Sequence, residues 1–256
     1  FVSKFSSDLT SLSASTFLGG SGDDNAYGIA IDSSDNVYVT GFTQNSGTDL
    51  PVTSGAYDES INSNSAFVSK FSSDLTSLSA STFLDGSSTE WGEAIAIDSS
   101  GNVYVTGYTA SDDFPVTSGA HQESRTGNYE AFVSKFSSDL TSLSASTYFG
   151  GASNEYGYDI AIDSSDNVYV VGRIDEYGTP DLPATSGAYD ESHNGDLDAF
   201  VSKFDFTAPT VTITSSSGDC GDSTSSTTLS YTATFSESTS NFVVGDITVT
   251  GTANGS

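Results

Sequence analysis

The sequence predicts an all-β fold of four-stranded antiparallel sheets stacked radially, the blades of a β-propeller with an incomplete ring, running into part of a second β-module. Three observations predict it. One block of residues recurs along most of the chain, each block carries four short strand-like runs, and the alternating positions of those runs are apolar or small on both faces.

The repeat is read first. FVSKFSSDLTSLSAST at Phe1–Thr16 returns letter for letter at Phe67–Thr82 and Phe132–Thr147, and FVSKF starts a fourth copy at Phe200. The starts lie 66, 65 and 68 residues apart. Within a period the first strand is GIAID (Gly28–Asp32), AIAID (Ala94–Asp98) or DIAID (Asp159–Asp163). An SSDN or SSGN turn follows, and then the second strand, NVYVTGFT (Asn36–Thr43), NVYVTGYT (Asn102–Thr109) or NVYVVGRI (Asn167–Ile174). AFVSKF forms the third strand and LSASTFL or LSASTYF the fourth. Ile29 and Ile31 alternate with Ala30, and Val37 and Val39 with Tyr38. A sheet with one wet face would alternate apolar with charged residues, so these sheets are expected to be covered on both sides. A β-solenoid coil is too short for this period, and tandem immunoglobulin domains need about 100 residues each. The count comes to two strands, two whole blades and three further strands, too few for a ring. Upstream repeats or another chain are expected to complete it.

Composition agrees and excludes several functions. Val, Ile, Tyr, Phe and Thr cluster in short runs between Ser, Gly, Asp and Asn, a strand-and-turn composition. Against 34 acidic residues stand 6 basic ones, a formal net charge of -28, which repels phosphate backbones and anionic lipid. No nucleic-acid partner and no membrane insertion are expected, and no apolar run approaches the ~20 residues that span a bilayer. With a single cysteine, Cys220, no disulfide forms inside the chain, which suits a secreted protein that does not depend on disulfides. Met is absent and no signal peptide is visible, so a natural start is not in view.

After Phe206 the character changes. TAPTVTITSSS (Thr207–Ser217), LSYTATFSE (Leu229–Glu237) and NFVVGDITVTG (Asn241–Gly251) read as strands of a new module, which divides the chain into 1–206 and 207–256. The TAPTVTI entry and the TFSE…DITVTG pattern are similar to bacterial immunoglobulin-like domains of surface adhesins, of which about half a sandwich would be present. Over residues 1–205, GGSGDDNAYGIAIDSSDNVYVTGFT with DLPVTSGAY and AFVSKF resembles the bacterial repeat family named for seven-bladed propellers, and the GIAID-turn-NVYVTG core resembles the NHL repeat. The resemblance implies propeller blades in an extracellular protein and says little about activity.

Candidate sites follow from the repeats. The four lysines, Lys4, Lys70, Lys135 and Lys203, share the FVSKF position, which predicts a structural ion pair to Asp32, Asp98 or Asp163 of the blade; the alternative is a snorkelling, solvated ammonium. Asp23, Asp24, Asp32 and Asp35 are the candidate ligands for Ca²⁺, the one ion the acids suit, although no EF-hand loop occurs and Asp in such places ordinarily caps turns. No cofactor is required. Tyr57, His121 and Tyr189 occupy one position of the long loop after the second strand, in DLPVTSGAYDES (Asp49–Ser60), DFPVTSGAHQES (Asp113–Ser124) and DLPATSGAYDES (Asp181–Ser192). They either present rings to a ligand or tack the loop onto its blade together with Pro51, Pro115 and Pro183. His121 and His193 lack metal-ligand spacing, no nucleophile elbow or phosphate loop occurs, and the Asn254 sequon sits at the end of the chain.

These features predict a non-enzymatic secreted or cell-surface protein, with the propeller as spacer and binding scaffold for surface or matrix proteins or glycans. The rivals are a polysaccharide lyase or hydrolase whose active site lies in other blades, and a filament or matrix component that self-associates with calcium.

Overall fold

The computed structural model describes residues 1–44, 50–175, 182 and 184–206, together with the backbone of 211–215 and 231–235. The chain divides into two units, Phe1–Phe206 and Thr207–Ser256. Among the described residues every regular element is a strand.

The first unit holds four sheets in chain order. Blade I is the pair β1 (Val2–Phe5) and β2 (Leu12–Thr16). Blade II runs β3 (Asp24–Ile31), β4 (Val37–Thr43), β5 (Ser65–Phe71), β6 (Leu78–Leu84), and blade III runs β7 (Glu90–Ile97), β8 (Val103–Thr109), β9 (Glu130–Phe136), β10 (Leu143–Phe149). Blade IV has β11 (Asn154–Ile162), β12 (Val168–Asp175) and β13 (Leu197–Phe204). Each blade is an antiparallel meander with neighbours in sequence order, and the described blades close no ring.

Both faces of each inner sheet are covered, because consecutive residues of one strand enter different seams. Phe67 and Phe71 join Val37 and Val39 against Val2 of blade I. Ala66 and Val68 on the opposite face of the same strand join Tyr38 against Ile95, Val105 and Phe132 of blade III. Ala131 and Val133 pack in turn with Tyr104 against Ile160, Val170 and Phe200 of blade IV. This period-two division is the reason the strands carry no wet face.

The first strand begins earlier than the repeat GIAID implies. In β3 it starts at Asp24 and slips register between Ala26 and Gly28, a bulge repeated between Gly92 and Ala94 and between Gly157 and Asp159. An extra residue in one strand breaks the apolar alternation, which hid this half of the strand from a pattern search. The bulge also accounts for the glycine of NVYVTG. A Cβ on Gly107 would lie 1.7 Å from the Trp91 carbonyl oxygen, and on Gly41 1.9 Å from that of Asn25. The SSDL turn carries a different strain: Leu140 has φ 59°, a left-handed conformation costing about 1–2 kcal/mol for a side-chain residue. Complete burial of Leu140 in the seam between blades II and III offsets it.

In the second unit β14 (Val211–Ser215) pairs with β15 (Tyr231–Phe235) from Val211↔Phe235 to Ser215↔Tyr231. Cys220, Asn254 and the strand expected at Asn241–Gly251 lie outside the described residues.

Candidate functional site

Much of the repeated polar chemistry holds the blades together. In blade III the Asp98 carboxylate accepts from the Ser100 and Asn102 amides at 3.0 and 2.8 Å, from the Asn102 side chain at 2.7 Å and from the Tyr104 hydroxyl at 3.2 Å. Lys135 stands 3.8 Å from Asp98 and 5.1 Å from the Tyr104 ring centroid. Blade II repeats the arrangement with Asp32, Asn36, Tyr38 and Lys70, the ion pair being 3.7 Å, and Lys70 also donates to the Ser138 carbonyl of blade III at 3.3 Å. The end blades differ from the expected uniform pairing. Lys203 stands over the Tyr169 ring at 5.6 Å, while Asp163 accepts from Ser165, Asn167 and Tyr169. Lys4 donates to the Ser73 carbonyl of blade II at 3.3 Å, the counterpart of the Lys70 contact with Ser138.

Of the acids considered for calcium, Asp24 and Asp32 accept from backbone amides, and the Asp23 carbonyl accepts from the Gln44 amide. Asp24 accepts from the Gly20 amide at 2.7 Å and the Thr43 hydroxyl at 2.6 Å. Glu90, at the same position of blade III, accepts from Thr109 at 2.7 Å, from the Gly86 amide at 3.1 Å and from the Ser111 hydroxyl. Asp32 belongs to the turn described above, and Asp35 has φ 63° at the tip of that turn. Among the described residues no group of three or more His, Cys, Asp or Glu side chains is placed to hold a metal ion.

Burial pushes the Glu90, Asp85 and Glu130 carboxyls above the usual carboxylate range, against the hydrogen bonds that each accepts. A folded value above the unfolded one means that the native state binds the proton more tightly. The associated stability is complete below the unfolded value and is lost as pH rises through the folded one. Glu90→Gln is therefore expected to flatten the fall in urea midpoint as pH is raised from 4 upward. An unchanged pH slope would show that Glu90 titrates alike in both states.

The long loop lies along its blade. Thr53 N donates to Ser81 O at 3.1 Å and Phe83 N to Asp58 O at 3.1 Å, so Thr53–Asp58 extends the outer edge of β6. Blade III repeats this with Thr117 N to Ser146 O and Tyr148 N to Gln122 O, at 3.0 and 3.2 Å. Tyr57 is half-buried, with its ring 5.7 Å from Phe136 of blade III in an edge-on contact. His121 is exposed and lines a cavity beside β13, and Tyr189 is fully exposed. Each of the three sits on its own blade. His193 lies 3.9 Å from Asp198 in the same cavity wall.

Unlike residues converge elsewhere. At the bulged ends of the first strands, Asn25, Trp91 and Tyr156 occupy one repeat position, and across the ladder from them stand Phe42, Tyr108 and Arg173. Their rings form a belt over three blades. Trp91 stacks with Phe42 at 5.7 Å and with Tyr108 at 4.6 Å; Tyr108 meets Tyr156 edge-on at 4.8 Å, and Tyr129 touches Trp91, Tyr108 and Tyr156 at about 6 Å. Tyr156 stacks with Tyr158, and the Arg173 guanidinium caps the Tyr156 ring at 4.7 Å. Phe42, Trp91, Tyr108, Tyr129 and Tyr156 are half-buried and Tyr158 is exposed, so the belt borders solvent.

Two residues further along the first strands, Tyr27, Glu93 and Tyr158 share one position. Burial raises the Glu93 carboxyl, and burial first and the Glu93 charge second raise the phenols of Tyr27 and Tyr108; burial is also the main cause at Tyr158. This arrangement offers ring surface, one carboxylate and one guanidinium on a common border. The signal for it was present in the sequence as difference: blades identical over sixteen residues diverge at these positions, and the single Trp is among them.

A family model described as a beta-propeller repeat (SBBP) matches the chain at residues 15–47, 85–115 and 146–178. Each match contains the first and second strands of one blade, so it includes most of the belt. None of the curated proteins matches the chain.

Proposed function

We propose that this chain is the non-enzymatic binding scaffold of a secreted or cell-surface protein, its blades carrying an adhesive site and an immunoglobulin-like module following them. Propeller repeats support a scaffold or binding role in general. What supports a site on this scaffold is the belt from Phe42 to Arg173, where otherwise identical blades differ and their differences touch.

A neutral glycan is the ligand that fits. Sugar rings offer apolar faces to aromatic side chains and hydroxyls to a carboxylate and a guanidinium, the mixture that Glu93 and Arg173 add to the rings. The net charge of -28 disfavours an anionic polymer. Turnover would need a second acid placed against Glu93, whereas the Asp175 carboxylate pairs with Arg173 at 2.8 Å. Glycan binding is expected to survive EDTA.

Trp91, the only Trp, reports on the site directly. Titration with neutral oligosaccharides is expected to change its fluorescence saturably. Tyr158→Ala and Glu93→Gln should each weaken binding about five- to tenfold, roughly 1 kcal/mol apiece. A titration with no saturable change, or variants that bind as the parent does, would remove the belt as the site. New reducing ends or unsaturated products would replace the adhesive reading with an enzymatic one.

A further inference from the structure

We propose that the bulge of blade III is a binding site for a primary ammonium, the end of a lysine side chain on a basic partner protein, held by the Glu93 carboxylate between the Tyr27 and Tyr158 rings. The proposal does not rest on the glycan reading. It concerns another class of ligand, although the two ligands would share Glu93 and Tyr158.

The first strands place these three side chains by one device. Ladder pairing passes from Ala26 to Gly28, from Gly92 to Ala94 and from Gly157 to Asp159, so Tyr27, Glu93 and Tyr158 are the extra residues of three bulges. A bulged residue has no partner across the ladder, and the bulge re-aims its side chain. Successive first strands lie close at this level. A Cβ on Gly28 would stand 3.1 Å from the Glu93 carbonyl oxygen and 2.9 Å from the Ala94 Cα. Blade III has a neighbour on each side, and β7 packs against β3 and β4 of blade II and β11 of blade IV. Tyr108, the ring stacked on Trp91, completes the group, and the Glu93 charge reaches the phenols of Tyr27, Tyr108 and Tyr158.

Glu93 is a carboxylate without a partner. It is half-buried, and among the described residues it accepts no hydrogen bond and forms no ion pair. The chain has 6 Lys and Arg residues, and all of them are engaged elsewhere. Lys70 and Lys135 face Asp32 and Asp98, Lys203 lies over Tyr169, and Lys4 donates to Ser73. Arg125 pairs with Asp112 at 2.6 Å and Arg173 with Asp175 at 2.8 Å. A partly desolvated acceptor that lacks a donor is unfavourable, and a donor from outside would relieve it.

The fold itself shows which donor suits. In blades II and III one Tyr ring and one carboxylate hold an ammonium together. Lys70 stands 4.8 Å from the Tyr38 ring centroid and 3.7 Å from Asp32, and Lys135 stands 5.1 Å from that of Tyr104 and 3.8 Å from Asp98. The bulges set out the same two elements and leave out the cation. Ring faces attract an ammonium, and the carboxylate adds a charge-assisted bond. A calcium ion would need six or more oxygen ligands, which one carboxylate among phenols does not supply. The net charge of -28 draws a basic partner toward the site.

The probe is N-acetyl-lysine methylamide, followed by Trp91 fluorescence at physiological salt, which screens general attraction to the acidic surface. Saturable binding in the millimolar range is expected, and the same probe acetylated on its ε-amine, which carries no charge, should not bind. Glu93→Gln should weaken the lysine probe about tenfold and Tyr158→Leu about fivefold, whereas Tyr158→Phe keeps the ring and should bind within about twofold of the parent. The urea midpoint of Glu93→Gln should not fall, because no bond to the carboxylate is lost. No saturable change, equal binding of the acetylated probe, or unchanged binding by Glu93→Gln overturns the ammonium site. Tighter binding of glucosamine than of the lysine probe overturns lysine as the source of the ammonium. Neutral oligosaccharides that fail to bind would remove the glycan reading and leave this site standing, since the probe contains no sugar.

Discussion

Phe132→Ala is expected to destabilise the first unit by about 3–5 kcal/mol, read as a fall in urea midpoint at unchanged slope, whereas Phe1→Ala should move it by no more than about 0.5 kcal/mol. The two residues open the same sixteen-letter repeat; Phe132 lies inside β9, and Phe1 precedes β1. Phe132 is fully buried in the seam between blades II and III, with its ring 4.6 Å from Phe114, and Phe1 is 80% exposed. Truncating Phe132 removes the transfer energy of a buried ring and leaves a cavity among Val105, Phe136 and Tyr148, strand-anchored side chains with little freedom to collapse inward. Phe67, 1% exposed, should behave like Phe132. Equal losses at Phe1 and Phe132 would mean that the repeats are stabilised one by one, and that face-to-face stacking contributes little.

Asp98→Ala is expected to be comparably damaging, about 3–5 kcal/mol, for a different reason. Asp98 is 9% exposed and ties together a turn, a second strand and a third strand. Without it the buried Tyr104 hydroxyl and the Asn102 amide lose their acceptor, and Lys135 loses its ion-pair partner, with Asp166 of blade IV as the remaining carboxylate in its field. Asp98→Asn keeps one acceptor oxygen and should cost about half as much, which separates the hydrogen bonds from the charge. The same change at Asp163 in blade IV, a more exposed copy of the turn whose Lys203 keeps the contact with Tyr169 but not the ion pair of blades II and III, should be milder. An Asp98→Ala protein as stable as the parent would reduce the whole Asp-Asn-Tyr-Lys group to surface decoration.

The blade was legible residue by residue, because its information is local. The SSDN turn, the alternation in NVYVTG and the Ser pair that joins the third strand to the fourth each declare a strand or a reversal within a few positions of themselves. The bulge after Ala26, Gly92 and Gly157 was not legible, since an extra residue erases the alternation on which strand reading depends. The belt was missed for a related reason. A search for repeated chemistry weights what recurs, and Trp91, Tyr108, Tyr156 and Arg173 stand where the repeats disagree. Tyr57, His121 and Tyr189 share a loop position, yet among the described residues only Tyr57 has its ring packed on the blade that follows.

By itself, then, the sequence determined the all-β class, the four strands of a blade, their order and the residues able to face inward, all of which follow from period-two patterning and turn chemistry close along the chain. The tertiary structure alone decided which copy of an identical residue forms an ion pair, as the contrast of Lys203 with Lys135 shows. It also decided that rings more than a hundred residues apart meet in one belt. Burial and contact are set by what lies on the other side of a sheet, and that neighbour is distant in sequence, so no local pattern encodes it.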